Sequence, residues 1–258
     1  MHHYIITGAS RGIGAAIAEQ LLDLNHVVMG VARSDNPGLK ALADEKGAPL
    51  RYYQQDLSES FNVPHFTQYL LSEIDRDDVH SISLIHNAGL LEPIALIGQE
   101  SSPEQTTRAF NVNLLAPMLM TETFVAHVQD WPVEKRVLGI SSGAAFNPYP
   151  GWSTYCTTKA GLDMMLRVLA TEQQQHPYPV KVLALAPGVV DTEMQTLIRE
   201  QTPENFPPVE RFHDLKNNGE LWSADFVAKH TIEMLHHADF GEKVQVDLRH
   251  ELGGEGNG

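Results

Sequence analysis

Short runs of apolar and β-branched residues alternate along the chain with longer segments whose apolar residues recur every three or four positions. The short runs are typical of buried strands, and the longer segments are typical of helices with one apolar face. Strands that alternate with helices form a parallel sheet covered by helices on both faces. The pattern predicts an α/β fold with a doubly wound parallel sheet of seven strands: "YIIT", "HVVMGV", "LRYYQ", "SISLIH", "RVLGI", "VKVLALA" and "KVQV".

Two segments interrupt this alternation. Residues 192–219 are polar and contain "TPENFPPVERF", which is longer than an ordinary connection between elements. This segment is either a mobile lid over a substrate or a pair of helices. Residues 251–258, which end in "GGEGNG", are predicted to be a flexible tail. The remaining residues, 1–250, are predicted to form a single domain.

Composition narrows the classes of function. A length of 258 residues with 42% hydrophobic content suits one large domain. The 33 acidic and 18 basic residues give a net charge of −15, which argues against a nucleic-acid partner. The single cysteine, Cys156, excludes a disulfide framework within the chain. We find no secretory leader and no apolar run of membrane-spanning length, so we expect a cytoplasmic protein without a membrane partner.

A glycine-rich segment, "TGASRGIG", lies between the first predicted strand and the first predicted helix. Glycines at this place permit a tight turn and close approach of the backbone to a pyrophosphate, while the helix presents free N–H groups. The spacing, G-x-x-x-G-x-G, differs from the G-x-G-x-x-G of many dinucleotide folds. We interpret the segment as a cofactor loop of a Rossmann-type fold, formed by Gly8, Ser10, Arg11, Gly12, Ile13 and Gly14.

The end of the second strand indicates which dinucleotide is bound. NAD-binding folds usually carry an acidic residue there, whereas the 2′-phosphate of NADP requires a cation. Ala32 and Arg33 occupy this position, and Arg11 in the glycine loop could approach the same phosphate. Either arginine alone could be an ordinary surface residue. The two together favour NADPH/NADP+.

Polar residues also follow the third and fourth strands, where open α/β sheets bind ligands. Asp56 and Leu57 follow the third strand, and Asp56 either accepts a hydrogen bond from the adenine amine or caps the next helix. Asn87, Ala88 and Gly89 follow the fourth strand. We expect these residues to contact the cofactor.

Tyr155 and Lys159 are four residues apart in the predicted helix "WSTYCTTKAGLDMMLRVLATE", so both side chains project from one face. Ser142 precedes Tyr155 by a loop long enough to bring its hydroxyl back over the start of the helix. Each feature is common by chance. Together with the glycine loop they indicate a site.

The succession TGxxxGxG, D, NAG, N, S, YxxxK and PG resembles the short-chain dehydrogenase/reductase family from Tyr4 to about Val246. Within that family the chain is most similar to the sepiapterin reductase-like group, and especially to bacterial benzil reductases that form (S)-benzoin. The stretches "SSGAAFNPYPGWSTYCTTKAGLDM" and "PGVVDTEMQTLIRE" carry this closer resemblance. One departure is His86, where the family commonly has asparagine.

The resemblance implies a catalytic role for each of four residues. Tyr155 would be the general acid, and Lys159 its partner and a ligand of the nicotinamide ribose. Ser142 would orient the carbonyl, and Asn113 of "NVNLLAP" would hold a proton-relay water. The arrangement is physically sensible, since lowering the pKa of tyrosine from about 10 to neutrality needs roughly 4 kcal/mol of preferential stabilisation of the phenolate. The resemblance also assigns Pro187, Gly188, Val190 and Thr192 to the cofactor.

The residues expected around the substrate carbonyl are largely apolar or aromatic, and they suit a planar hydrophobic ketone. They are Leu90, Leu91, Phe146, Tyr149, Trp152, Val189, Met194 and Leu197. Asp247 matches the aspartate that anchors the pterin in sepiapterin reductases, or it is a surface carboxylate at a strand end.

Our hypothesis is an NADPH-dependent carbonyl reductase that converts one carbonyl of a vicinal diketone, such as benzil or 1-phenyl-1,2-propanedione, to an (S)-hydroxyketone. The alternatives are a sepiapterin reductase and a non-catalytic NADP-binding regulator. We expect no metal site, because the histidines show no metal-ligand spacing. Apolar surface on two helices, together with the family resemblance, predicts a homodimer, with a tetramer as the alternative.

Overall fold

The buried strand sequences form one parallel sheet in the computed structural model, which describes residues 1–253. The strand order is β3-β2-β1-β4-β5-β6-β7, and every neighbouring pair is parallel. The predicted seven-stranded doubly wound sheet is therefore confirmed. Its strands are β1 His2–Thr7, β2 His26–Ala32, β3 Leu50–Gln54, β4 Ser81–His86, β5 Glu134–Ile140, β6 Val180–Ala186 and β7 Gln245–Asp247.

The last strand differs in position from the sequence prediction. The run "KVQV" begins at Lys243, whereas β7 begins at Gln245 and pairs with β6 over three residues only. Asp247 ends the strand and caps the short helix that follows, because its carboxylate accepts a hydrogen bond from the Arg249 backbone N–H at 3.0 Å.

Helices cover both faces of the sheet, as the alternating pattern predicts. One apolar core lies between the sheet and α3, α5 and α6, and a second lies between the sheet and α1, α2 and α9. The helices are α1 Gly12–Gln20, α2 Pro37–Lys46, α3 Val63–Ser72, α4 Pro103–Phe110, α5 Ala116–Val128, α6 Ser153–Gln173, α7 Glu193–Arg199, α8 Val209–Asn217, α9 Ala224–His236 and α10 Leu248–Glu251.

Residues 192–219 contain the two helices α7 and α8. Their apolar residues form a third core with the residues that begin α6, and Phe206, between the two helices, is fully buried. The Trp152 ring stacks on the Phe206 ring with 4.6 Å between centroids and an angle of 16° between planes. The segment is thus a packed helix pair, and its closure over a substrate stays a prediction.

Two further expectations concern the chain end and membranes. Glu251 belongs to α10, and residues 254–258 of the predicted flexible tail lie outside the described residues. Among residues 1–253, none of the helices combines the length and apolar character that a bilayer crossing requires.

Candidate active site

A cavity of about 850 Å³ lies at the carboxyl ends of the strands. The loops after β1, β2, β3, β4, β5 and β6 all contribute to its wall, and α6, α7 and α8 complete it. This is the edge of the sheet where open α/β folds bind ligands, because helix N-termini and strand ends converge there.

The loop between β1 and α1 forms a backbone cradle that depends on its glycines. Gly12 begins α1 with a φ of +57°, a conformation that favours glycine. A Cβ built on Gly14 would lie 2.4 Å from the carbonyl oxygen of Gly8, so only glycine fits there. Asn87 braces the loop by donating from Nδ2 to the carbonyl oxygens of Thr7 and Gly8, at 3.0 and 3.3 Å. These features fit the backbone cradle that a dinucleotide pyrophosphate requires.

Exposed charged residues surround the end of β2. Arg33 is exposed and lines the cavity. The nearest acid in the chain, Asp35, is turned to Lys40, with Nζ 2.6 Å from Oδ1. Arg11 also lines the cavity and forms an ion pair with Glu193 at the start of α7. The cavity wall at the end of β2 therefore presents the Arg33 cation, at the place where an acidic residue usually selects NAD.

Asp56 lies in the cavity wall and is already engaged in several interactions. Its Oδ1 accepts hydrogen bonds from the Ser58 backbone N–H and hydroxyl at 2.9 and 2.8 Å, and its Oδ2 lies 3.2 Å from Arg108 Nη2. Burial acts to raise the pKa of Asp56, but the Ser58 hydrogen bonds and the Arg108 charge lower it overall. The carboxylate is thus charged at neutral pH, with a role in local structure as well as in the cavity.

Tyr155 and Lys159 lie on the buried face of α6, at the centre of the cavity. The Lys159 ammonium donates a hydrogen bond to the Ile140 carbonyl oxygen, at the end of β5, at 2.7 Å. It lies 5.8 Å from the centroid of the Tyr155 ring. The phenol and the ammonium are therefore neighbours, as their spacing in the sequence indicates.

Burial alters the acidity of both groups. It raises the pKa of Tyr155 to about 12, partly opposed by a hydrogen bond with Ser142. It also lowers the pKa of Lys159 to about 8, partly opposed by the negative charge of Asp163. Both shifts have the same physical cause, because a buried site disfavours the charged form of either group. At neutral pH Tyr155 is a phenol, and Lys159 is an ammonium able to lose its proton.

Ser142 and Asn113 approach this pair from two other elements. Ser142 follows β5, and its hydroxyl accepts a hydrogen bond from the Ala144 N–H at 3.1 Å. Asn113 lies in a π-helical turn, residues 111–115, which joins α4 to α5. Its amide binds both the N–H and the C=O of Leu90 at 2.7 Å and donates to Thr158 at 3.1 Å. Asn113 therefore connects the loop after β4 to α6.

The structure brings most of the predicted site residues to one cavity. Gly14, Asn113, Phe146 and Asp247 do not line its wall. Phe146 is 58% exposed, and Asp247 faces Arg249. The residues that line the cavity are Gly8, Ser10, Arg11, Gly12, Ile13, Arg33, Asp56, Leu57, Asn87, Ala88, Gly89, Leu90, Leu91, Ser142, Tyr149, Trp152, Tyr155, Lys159, Pro187, Gly188, Val189, Val190, Thr192, Met194 and Leu197.

Sequence reasoning missed two residues near the site. Asp163 lies one helical turn beyond Lys159, is buried, and accepts a hydrogen bond from Gln245 Nε2 at 3.2 Å. Residues four apart on a helix share a face, so the spacing between Lys159 and Asp163 could have identified Asp163 as a neighbour of the lysine. Arg249 lines the cavity from α10. Asp247, two residues earlier, is a candidate substrate residue from the sequence, but nothing in the sequence singles out Arg249 itself.

A glycine cradle beside the first helix, with a buried Tyr and Lys and a nearby Ser at the same sheet edge, defines a dinucleotide-dependent oxidoreductase. The chain belongs to the short chain dehydrogenase family, whose model matches residues 2–203. Members of this family bind nicotinamide cofactors, and the protein is an oxidoreductase acting on CH–OH and C=O groups.

Individual relatives are similar over nearly the whole chain. A benzil reductase ((S)-benzoin forming) of Bacillus cereus is 43% identical over 249 residues, which is 96% of this chain and 100% of the relative. A sepiapterin reductase of Meriones unguiculatus is 32% identical over 255 residues, which is 95% of each chain. The crystal structure of the KRED1-Pglu enzyme matches with a TM-score of 0.80 and 29% identity, over 95% of this chain and 100% of that one. The resemblance on sequence motifs to the benzil and sepiapterin reductases is confirmed.

Replacing the buried Lys159 by methionine should change how stability depends on pH. The pKa of Lys159 is about 8 in the folded chain against an ordinary value of 10.5. Between these values the unfolded chain binds more protons, so the stability of the wild type rises with pH. Relative to Lys159→Met, the wild type should gain about 2 kcal/mol between pH 8 and pH 9.5. Urea unfolding at both pH values measures this difference.

Lys229→Met is the matched control, because Lys229 is an exposed lysine on α9, outside the cavity wall. This variant should follow the wild type at both pH values. If the free energy of unfolding changed by the same amount in the wild type and in Lys159→Met between pH 8 and pH 9.5, the lowered pKa of Lys159 would be contradicted.

Proposed function

We propose that the protein is an NADPH-dependent reductase that converts one carbonyl of a vicinal diketone, such as benzil or 1-phenyl-1,2-propanedione, to an (S)-hydroxyketone. The observation that carries this proposal is the juxtaposition of Tyr155, Lys159 and Ser142 in one cavity, beneath a wall of aromatic and aliphatic side chains. The similarity to benzil reductases supports the diketone as the substrate class and the (S) configuration of the product.

Each residue has a role that follows from its chemistry. The bound cofactor supplies the hydride. The Ser142 hydroxyl and the Tyr155 phenol orient the substrate carbonyl oxygen, and Tyr155 gives that oxygen its proton as the C–H bond forms. The nearby Lys159 ammonium stabilises the phenolate that remains and acts in its reprotonation, since like Tyr155 it is buried on the same face of α6. Asn113 holds the loop after β4 against α6 and, as in the family pattern, positions a relay water.

The shape of the cavity supports a planar aromatic substrate. Trp152 is buried between Tyr149, Phe206 and Phe212, with ring centroids 5.0, 4.6 and 5.5 Å away. Leu91, Val189 and Met194 extend this apolar surface towards the carbonyl position. A phenyl ring packs well against such a wall, whereas a sugar or a charged metabolite would leave its polar groups without partners.

A sepiapterin reductase is the second candidate, favoured by the 32% identity to such an enzyme. The pterin-anchoring role requires a free carboxylate at Asp247. Both oxygens of that carboxylate accept from Arg249, at 3.1 Å from Nε and 2.7 Å from Nη2. A carboxylate that already accepts three hydrogen bonds is a poor partner for a pterin, and we therefore rank the diketone first.

We further propose that the enzyme acts as a cytoplasmic homodimer. Met164 and Val168 are one turn apart on the outer face of α6 and are 53% and 47% exposed, and Leu115 at the start of α5 is 37% exposed. Apolar side chains on an outer helix face are suited to burial against a second copy of the chain.

The substrate assignment is tested by incubating the purified protein with NADPH and either benzil or sepiapterin, and by following NADPH absorbance. We expect brisk oxidation of NADPH with benzil, (S)-benzoin as the product on a chiral column, and slow turnover of sepiapterin. The rate of NADPH oxidation with simple aldehydes serves as the comparison, because their carbonyl group has no second carbonyl oxygen next to it. Brisk sepiapterin reduction beside negligible benzil reduction would reverse the ranking.

Cofactor preference is tested by reversing the charge at Arg33. The wild type should prefer NADPH over NADH, and Arg33→Asp should lower kcat/KM for NADPH about 100-fold while changing that for NADH little, because a carboxylate would face the 2′-phosphate. Lys229→Asp makes the same change of charge on α9, outside the cavity wall, and should leave the preference intact. Equal efficiency of the wild type with both cofactors would refute the NADPH assignment.

The proton donor is tested by Tyr155→Phe, which removes one hydroxyl and leaves the ring in place. We expect kcat to fall about 1,000-fold, within the range for loss of a general acid, with NADPH affinity unchanged. Fluorescence titration with NADPH and single-turnover reduction of benzil measure the two effects. Tyr69→Phe, a distant and exposed tyrosine on α3, is the control. A Tyr155→Phe enzyme that keeps most of its turnover would require another acid.

A further inference from the structure

The C-terminal part of the described chain returns to the cavity. After β7, α10 carries Arg249 into the wall between the loops that follow β5 and β6. Arg249 Nη2 lies 3.7 Å from a Cβ built on Gly143, the residue after Ser142, and Arg249 Cγ lies 3.3 Å from a Cβ built on Gly188. The absence of a side chain at Gly188 leaves room for the arginine, and Gly143 lies at van der Waals distance from it. Arg249 therefore lies beside the catalytic serine.

Asp247 holds the Arg249 guanidinium in place. The pair is bidentate, with Nε 3.1 Å from Oδ1 and Nη2 2.7 Å from Oδ2. Oδ1 also accepts the backbone N–H of Arg249 at 3.0 Å. Planar two-point pairs of this kind fix orientation as well as distance, so little side-chain entropy is left to lose when a ligand binds.

The pairing determines the kind of ligand that suits Arg249. The arginine and the aspartate together carry no net charge, so an anionic substrate gains little from the pair. Within residues 1–253 the hydrogen bonds of Arg249 run from Nε and Nη2 to Asp247, and Nη1 makes none. A guanidinium N–H that is oriented, and whose charge is balanced by Asp247, suits a neutral acceptor such as a carbonyl oxygen.

A vicinal diketone presents this acceptor next to its reacting carbonyl. We propose that Arg249, held by Asp247, determines specificity by donating a hydrogen bond to the second carbonyl oxygen of a 1,2-diketone while Ser142 and Tyr155 hold the first. The inference rests on the proposed function. It gives a function to a guanidinium that Asp247 fixes in the cavity wall, next to the loop that carries Ser142.

The test compares benzil with deoxybenzoin, which keeps both phenyl rings but lacks the second carbonyl oxygen. In Arg249→Met, kcat/KM for benzil should fall about 10- to 100-fold, the loss expected for a hydrogen bond from a charged donor. The inhibition constant of deoxybenzoin against benzil should change less than about twofold, because this ligand offers nothing for Arg249 to bind. NADPH affinity, measured by fluorescence, should match the wild type.

A second variant covers the risk that Arg249→Met leaves Asp247 unpaired and disturbs α10. The double variant Asp247→Asn/Arg249→Met removes both charges, and it should show the same selective loss for benzil. The kcat/KM values are referred to the concentration of enzyme that binds NADPH, and an inhibition constant does not depend on the amount of enzyme, so a general loss of folded enzyme does not imitate the expected result.

Three outcomes would overturn the inference. Equal losses for benzil and deoxybenzoin would make Arg249 a purely structural residue, and unchanged values for both would exclude any contact with substrate. Either result, with an active wild type, leaves the proposed reductase function intact. A wild type that reduces no vicinal diketone with NADPH would overturn the proposed function and this inference together.

Discussion

The close approach of α6 to the end of β5 is the constraint on which the site depends. A Cβ built on Gly139 of β5 would lie 2.6 Å from Leu166 Cδ1, so the absence of a side chain at 139 lets the helix settle on the strand. About two helical turns nearer the start of α6, Lys159 can then reach the Ile140 carbonyl oxygen at 2.7 Å. The position of Tyr155 follows, since it shares the same helix face.

Burial at this contact alters the acidity of both Tyr155 and Lys159. Raising the pKa of Tyr155 to about 12 keeps the phenol protonated at neutral pH, whereas the general-acid role expected from the sequence calls for a pKa nearer to neutrality. Lowering the pKa of Lys159 to about 8 makes the ammonium beside it readier to give up a proton. The negative charge of Asp163, also in α6, opposes this lowering of the Lys159 pKa. The pKa values of Tyr155 and Lys159 thus depend on how deeply α6 buries the two side chains.

The sequence predicts the features that local patterns encode, and it fails where distant segments meet. The strands and α6 follow from their apolar periodicity, and the cofactor loop follows from its glycines. The helices α7 and α8 are obscured because Pro207, Pro208 and the polar residues around them resemble a loop. Arg249 could not be assigned, because its place beside Gly143 depends on how β7 joins the far edge of the sheet. Asp247 was noticed in the sequence, but its partner was not.

The aromatic contact between Trp152 and Phe206 connects the segment after α7 to the start of α6, which carries Tyr155. Trp152 immediately precedes α6, and its ring stacks on the ring of the buried Phe206. At Gly151, with a φ of +89°, a Cβ would lie 2.5 Å from the Asn205 carbonyl oxygen, so the two backbones meet directly. Any opening of the α7–α8 pair must therefore break this stack three residues before Tyr155. Because this part of the cavity wall and the start of α6 form one packed unit, a movement of α7 and α8 would also act on the helical turn that carries Tyr155.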